Sequence, residues 1–527
     1  MAIIKKNFNL ILSVLIIGIV ITMPIFFILK ESINVAYKDF SLFASFKLFD
    51  YFKQTIILII LTSIFSLIFA VFPAYIISFY KLRFKRLFDI LLILPLAIPC
   101  YIMAFTYSDL LGFNGLIQST FNQINFDVLT IGWLSFFLAL ALYPYVYTTT
   151  RISFSLVGST YMDLSKSLGL TRFSTFTKVL LPLSLSGIFS GVILIVMEVL
   201  NEYGAVNYFG INTFSVGIFK YWFSLDNKSY AIVLSFLLLL LVLFFVYLSS
   251  LLKKSDDKLK YHIKSGKDSI LTFQSKLSKN FSLTIISIPF FLGFVIPLVF
   301  VFSNVIDNFF KYDFNHLIEL VKNSLYVGFI ASFLIVVIAF YILNVKRVAS
   351  NKLINSIIRV LTTGYAIPGA VVGLSLMLLL RLMGDNYTFL LGTIFLLIYA
   401  YIFRFMSVAI FPIETSLKRQ PKTFDDQAKS LKLNSMKLFY KITIPLNKYA
   451  LFSAFILVFI DILKELPVTL ILRPFNFETL ATQTYEYATE EMLAYSSLYS
   501  LTLIICCSFM LIYVSSVLNK KNVFTSR

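Results

Sequence analysis

Residues 162–183 read MDLSKSLGLTRFSTFTKVLLPL, and residues 425–446 read DDQAKSLKLNSMKLFYKITIPL. Asp163 and Asp426, Leu168 and Leu431, Lys178 and Lys441, and Pro182 and Pro445 all stand 263 positions apart. Gly169 falls opposite Lys432 in the same register. One offset running through both stretches marks a tandem duplication. Within the first copy, MDLSKSLG carries helical spacing of its apolar positions and ends on Gly169, a residue suited to a left-handed C-terminal cap. Thr171 suits the N-cap of a following helix, and Asn434 suits it equally in the second copy. The pattern predicts two short helices joined at an angle, leading into a long apolar run at VLLP. A rigid polar knob held between two membrane spans can pass force from a soluble partner, which a floppy loop cannot do.

The surroundings of these stretches are almost wholly apolar. Of 527 residues, 59% are hydrophobic and only 13% charged, and the mean hydropathy is +0.88. So few charges cannot cover the surface of a soluble chain of this length. The apolar residues come in blocks such as SYAIVLSFLLLLLVLFFVYLSS, long enough to cross a bilayer as helices. They do not alternate as the strands of a membrane barrel would. The expected class is an all-α integral membrane protein. The net charge of +19 is read as basic cytoplasmic loops rather than as a nucleic-acid surface. Cys100, Cys506 and Cys507 lie inside apolar runs, with no metal-ligand spacing and no disulfide framework. His262 and His316 have no ligand pattern around them.

About twelve spans follow from the apolar blocks, near 8–29, 55–79, 88–108, 130–150, 180–200 and 230–252, then near 281–302, 322–344, 354–380, 387–410, 447–466 and 497–517. The first run follows Lys5 and Lys6 and is too long for a signal-peptide core, so it is read as a retained span. Every second loop is basic, with Lys81, Arg83, Lys85 and Arg86 after the second span and Lys346, Arg347 and Lys352 after the eighth. The positive-inside rule then puts both termini and both polar segments in the cytoplasm. The Lys-rich stretch around KKSDDKLKYHIKSGKDS reads as a connector. The expected organisation is a first six-span half over 1–252, a cytoplasmic linker over 253–280 and a second six-span half over 281–527.

The two polar segments resemble the coupling motif of binding-protein-dependent ABC importer permeases. That motif has an acidic residue, two small residues, three variable ones, glycine, nine variable ones and then I-x-L-P. The first copy supplies Asp163-Leu164-Ser165, Gly169 and Val179-Leu180-Leu181-Pro182. The second supplies Asp426-Gln427-Ala428, Lys432 and Ile442-Thr443-Ile444-Pro445. The resemblance implies that Asp163, Gly169, Leu181, Pro182, Asp426, Ala428, Lys432, Ile444 and Pro445 form the segments that dock on an ATPase. Neither copy keeps the paired alanines, and Lys432 replaces glycine. A non-glycine residue in the left-handed region costs about 1–2 kcal/mol, so the second joint is expected to be shaped differently or to dock less strongly. LPLAIPCYIMAFTYSDLLGFNGLIQ at 94–118, GYAIPGAVVGLSL at 364–376 and LKELPVTLILRPFNFETLATQTYEYA at 463–488 resemble the fused, two-half ferric-iron permeases over essentially the whole chain. Thiamine permeases share the layout. The resemblance implies the type I ABC importer permease fold in a bacterial inner membrane. It also implies partners: two copies of a P-loop ATPase, which uses the ATP and Mg, and a periplasmic or lipid-anchored solute-binding protein. Pro95, Pro99 and Pro368 are expected at least to kink their helices.

This chain has no G-x-x-x-x-G-K-[ST] sequence, so ATP hydrolysis is assigned to a partner and no catalytic residue or bound cofactor is expected here. Glu198 and Glu202 lie four apart, which puts them on one face of the fifth span's outer half, and Asp461 and Glu465 repeat them 263 residues later. Carboxylates in spans are costly and usually face a cavity or a partner, and a hard cation such as ferric iron favours oxygen ligands. These four are therefore candidates for the translocation route, with Tyr203, Tyr208 and Tyr485 as further oxygen donors. The plainer reading is an interfacial position, with Lys464 as the neutralising partner. An ion-coupled secondary transporter would also use repeats and carboxylates, but has no reason to carry two coupling segments. No nucleophile–base pair supports a membrane enzyme.

Overall fold

A computed structural model describes residues 2–38, 42, 46–112, 115, 118, 127–259, 271–273, 275–349, 351–420 and 438–524. Its helices are α1 (Ala2–Lys38), α2 (Phe46–Phe79), α3 (Lys85–Leu91), α4 (Cys100–Leu111), α5 (Ile131–Ser167), α6 (Arg172–Thr175), α7 (Leu181–Asn201), α8 (Gly204–Tyr208), α9 (Phe214–Phe219) and α10 (Lys228–Leu259). Next come α11 (Lys276–Phe290), α12 (Ile296–Asp307), α13 (Phe314–Val348), α14 (Lys352–Thr363), α15 (Gly369–Met383) and α16 (Ile394–Arg419). The last four are α17 (Ile444–Leu463), α18 (Pro467–Leu472), α19 (Leu480–Thr489) and α20 (Leu493–Phe524). Among the described residues, extended pairing is limited to one parallel bridge between Tyr80 and Leu271.

Among the described residues, ten helices are long and apolar enough to cross a membrane, and the count rises to twelve if two bent pairs are each taken as one span. Those pairs are where the sequence expects its third and ninth spans. Lys85–Ala97 meets Cys100–Leu111 at 86°, and Lys352–Ala366 meets Gly369–Met383 at 113°. Both breaks fall at an Ile-Pro step. Ile98 (ψ 116°) and Ile367 (ψ 122°) are extended, and Pro99 and Pro368 stand at the N-caps of α4 and α15. Proline disfavours the helical conformation of the residue before it and supplies no N–H to the preceding turn. The result is a broken helix in each half rather than a kink.

By packing, the chain forms two compact units. One comprises residues 1–34, 313–482 and 509–527; the other comprises 35–312 and 483–508. Each unit therefore draws an opening span from the other tandem half. In the first unit α1 is pinned by Ser13 to the Tyr341 hydroxyl (2.6 Å) and by the Tyr399 hydroxyl donating to the Val20 carbonyl. Gly18 is needed there, since a Cβ would lie 2.5 Å from Ile357 Cγ2. In the second unit α11 and α12 run on through a π-helical turn at Phe291–Val295. The Tyr107 hydroxyl of α4 donates to the Leu292 carbonyl of that turn. In the same unit α7 crosses α5 through Gly187 and Gly191. A Cβ on Gly191 would stand 2.4 Å from Thr149 Oγ1 and 2.6 Å from Val146 Cα. Small residues four apart let two spans approach backbone to backbone, a common packing device in membranes. The exposed faces of the spans remain apolar, with Phe26, Ile33, Phe329, Phe333 and Phe509 among the exposed residues, as contact with lipid tails requires.

Candidate functional site

The first polar segment lies in the second unit and is built as its sequence predicts. Helix α5 continues beyond its apolar part to Ser167, and Gly169 adopts φ 72°. Leu170 N–H donates to the Ser165 carbonyl (3.0 Å) and Gly169 N–H to the Lys166 carbonyl (2.9 Å). These two bonds are the Schellman arrangement, which satisfies carbonyls that the helix end leaves open. Thr171 then caps α6, its side chain accepting from Ser174 N at 3.2 Å. A π-helical turn at Phe176–Leu180 leads into α7, whose first two residues are Leu181 and Pro182. The helix is continuous through this turn, with Leu181 N–H bonding five residues back to the Phe176 carbonyl, so the wider turn falls just before Pro182, which has no N–H to donate.

The segment is anchored on one side and open on the other. Phe176 packs on Phe72 and Tyr75 of α2 at ring-centroid distances of 6.0 and 4.8 Å. Met162 and Ser165 are buried, whereas Leu164, Leu168 and Phe173 are exposed. Asp163 is also exposed, and pairs with Lys166 at 3.6 Å. The described end of the linker is tied alongside. Leu271 exchanges backbone hydrogen bonds with Phe79 (2.7 Å) and Lys81 (3.0 Å), and Phe273 stacks on Tyr80 at 4.7 Å.

In the second polar segment Asp426, Ala428 and Lys432 lie outside the described residues. Its exit is described and repeats the first. A π-helical turn at Phe439–Thr443 leads into α17, which opens on Ile444 and Pro445. Phe439, the counterpart of Phe176, packs on Phe340 at 5.1 Å.

The carboxylates depart from expectation. Glu202 does not share a helical face with Glu198, because α7 ends at Asn201 and Glu202 is extended (ψ 123°). Likewise α17 ends at Leu463, before Glu465. Both glutamates instead turn back to cap the next short helix. Glu202 Oε1 accepts from Ala205 N at 2.9 Å, and Glu465 Oε1 accepts from Val468 N at 3.1 Å. Those two bonds are themselves 263 residues apart, so the repeat extends to this hydrogen bond. A carboxylate at a helix N-terminus satisfies an otherwise open N–H. Glu198 accepts from the Tyr145 hydroxyl at 3.4 Å, and Asp461 pairs with Lys464 at 3.7 Å.

Sequence reasoning missed Arg404. It lies buried in α16, 3.3 Å from Glu465 through its Nε. Gly369, the first residue of α15, lies against this pair: a Cβ there would meet Arg404 Nη1 at 2.5 Å and Glu465 Oε1 at 2.8 Å. The Thr469 hydroxyl donates to the Glu465 carbonyl (2.8 Å) and meets the Tyr401 hydroxyl at 2.6 Å. The position 263 residues before Arg404 is Ala141. A lone arginine within an apolar span is itself the signal of a buried acidic partner.

The three tyrosines come together in the second unit. Tyr203 and Tyr485 rings lie 5.7 Å apart, and Asn207 Nδ2 donates to the Tyr485 hydroxyl at 2.8 Å. Phe105 packs on both Tyr208 (4.7 Å) and Tyr485 (6.3 Å).

A family model described as the binding-protein-dependent transport system inner membrane component matches residues 66–254 and again 342–521. The chain is 24% identical over 511 residues to the Fe(3+)-transport system permease protein FbpB 2 of Haemophilus influenzae, covering 95% of this chain and 96% of that protein. It is 31% identical over 157 residues to the sulfate transport system permease protein CysT of Salmonella typhimurium, covering 29% of this chain and 56% of that protein. It is 27% identical over 160 residues to the molybdate/tungstate transport system permease protein WtpB of Methanocaldococcus jannaschii, covering 29% and 61%.

Proposed function

The chain belongs to the inner membrane components of binding-protein-dependent transport systems, and from that premise we propose that it moves ferric iron inward across a bacterial inner membrane. It is an ABC importer permease of the type I fold, with the family unit present twice in one chain. The observation that carries the ferric reading is that similarity to an Fe(3+) permease runs through nearly the full length of both proteins. The sulfate and molybdate relatives match less than a third of this chain. The same matches support the second reading, an oxyanion cargo, and the fused layout supports a third, thiamine.

In this reading both termini and both polar segments face the cytoplasm, and each segment receives one copy of an ATPase. Exposed Leu164, Leu168 and Phe173 give the first segment an apolar contact surface for that partner. Its doubly hydrogen-bonded glycine cap holds the surface at a fixed angle to α5. When ATP draws the two ATPase copies together, the segments are pulled with them and the halves switch from inward-facing to outward-facing. An extracytoplasmic binding protein then releases its load into the opened route. Lys432, where the family has glycine, makes the second contact the weaker of the two.

The test is uptake into vesicles holding the chain with its ATPase and binding protein, with ferric ion, thiamine, sulfate and molybdate offered in turn. ATP-dependent accumulation of iron is the expected result. Accumulation of thiamine or an oxyanion without iron would overturn the ferric reading, and uptake driven by an ion gradient without ATP would overturn the importer mechanism.

A further inference from the structure

The two repeat-related glutamates cap their short helices alike, yet their other neighbours differ in kind. Glu465 is buried with a guanidinium at 3.3 Å. An ion pair at that depth is an internal joint, since removing either charge strands the other in an apolar setting. It also lies against the first residue of α15 and beside Tyr401 and Thr469, so it ties together three helix ends of its unit. At the corresponding place the other half has alanine, Ala141. Around Glu202 the neighbours are oxygen donors. Tyr203 follows it directly, and its ring lies 5.7 Å from that of Tyr485. Asn207 fixes the Tyr485 hydroxyl at 2.8 Å. The charge of Glu202 is felt at Tyr485. The rings are held by apolar packing, Tyr203 flat on Phe219 at 3.8 Å and Tyr485 near Phe105, which sets where the hydroxyls stand.

We propose that Glu202, Tyr203 and Tyr485 form an oxygen-donor site that a ferric ion occupies in transit, with Asn207 positioning the Tyr485 hydroxyl, and that Glu465, held by Arg404, is a structural joint rather than a second ligand. The proposal rests on the ferric reading above. Carboxylate and phenol oxygens are ligands a hard cation takes. On binding, each ligating phenol exchanges its O–H bond for an O–Fe bond. The proton passes to water and iron remains ferric. Affinity then rises with pH, as for any site whose ligands must deprotonate.

The experiment titrates the purified chain in detergent with ferric nitrilotriacetate and follows the visible phenolate-to-iron charge-transfer band. Wild-type protein is expected to show the band, strengthening as pH rises. Tyr203→Phe with Tyr485→Phe is expected to abolish it, and Glu202→Gln to weaken half-saturation by about 10–100-fold. Tyr247→Phe, on the exposed face of α10, should leave it unchanged. Thermal melting of each variant checks that the fold survives. No band in wild type at saturating probe, or an undiminished band in the folded double variant, overturns the site. ATP-driven iron uptake by the assembled wild-type complex is measured alongside. Iron uptake without a band leaves the ferric reading standing and removes the site alone. Oxyanion or thiamine uptake without iron removes both.

Discussion

Replacing Gly169 isolates backbone conformation from contact. Its φ is 72°, and a Cβ there would meet nothing within 4 Å, so any penalty comes from the left-handed conformation itself. For an ordinary side chain that is about 1–2 kcal/mol. Such an energy shifts the balance between the capped and relaxed segment by a factor of about 5–30. Relaxation also releases the carbonyls of Ser165 and Lys166 that the cap now satisfies. Gly169→Ala is therefore expected to lower ATP hydrolysis stimulated by loaded binding protein by about that factor. Gly169→Val should be worse, because β-branched residues are genuine outliers at positive φ. Gly169→Asn should stay close to wild type despite its larger side chain, since asparagine tolerates this region. The assay is stimulated ATPase activity and transport in reconstituted vesicles, with insertion of the permease checked separately. Equal activity of the alanine, valine and asparagine variants would refute the argument that the cap sets the coupling geometry. Loss in all three alike would point to a contact made by the glycine backbone.

Thr171→Ala removes the side-chain cap of α6, worth about 1 kcal/mol. It should weaken coupling less than Gly169→Ala in the same assay. Arg404→Met strands buried Glu465 and should destabilise the protein by about 3–5 kcal/mol in chemical denaturation, and adding Glu465→Gln should restore most of that. Gly191→Ala forces a Cβ against the backbone of α5 and should cost about 1–3 kcal/mol, read as a lower melting temperature. Lys432→Gly should leave ATPase association intact and hold or slightly raise transport, and severe loss of association on co-purification would show that Lys432 makes a specific contact.

The spans were legible because hydropathy over some twenty residues is a local property, and the conformation of the first polar segment because cap residues act on their immediate neighbours. Gly169 and Thr171 do what their identities indicate. The breaks at Pro99 and Pro368 were half legible: proline marks the place, but the 86° and 113° bends depend on packing around it. Helical spacing misled at Glu202 and Glu465. Four-residue periodicity was carried straight through both helix ends, although Gly204 and Pro467, two residues beyond the glutamates, open the next helices and mark the breaks. Arg404 was legible in kind, as a charge inside a span, but not in partner. The separation of 61 positions between Arg404 and Glu465 leaves no local trace of the pairing. The exchange of opening spans between the tandem halves has no sequence signal either, since an apolar helix carries no address for the unit that receives it.

That exchange bears on how the protein is made. Helix α1 ends at Lys38, while the helices it packs with begin at Phe314. Roughly 275 residues must be synthesised in between, which at about 5–20 residues per second takes about 14–55 s. Throughout that interval α1 sits in the bilayer as an orphan, its inward face bare to lipid and its small residues open to any passing helix. The opening span of the second half has no such wait, because the helices that take it up are already in place when it emerges. Assembly is thus lopsided in time: one unit can close as soon as its late-arriving segment inserts, whereas the other holds α1 in reserve from the moment it emerges. A nascent chain halted before Phe314 would consist of one nearly finished bundle and one stray helix, a natural client for membrane chaperones and for quality-control proteases.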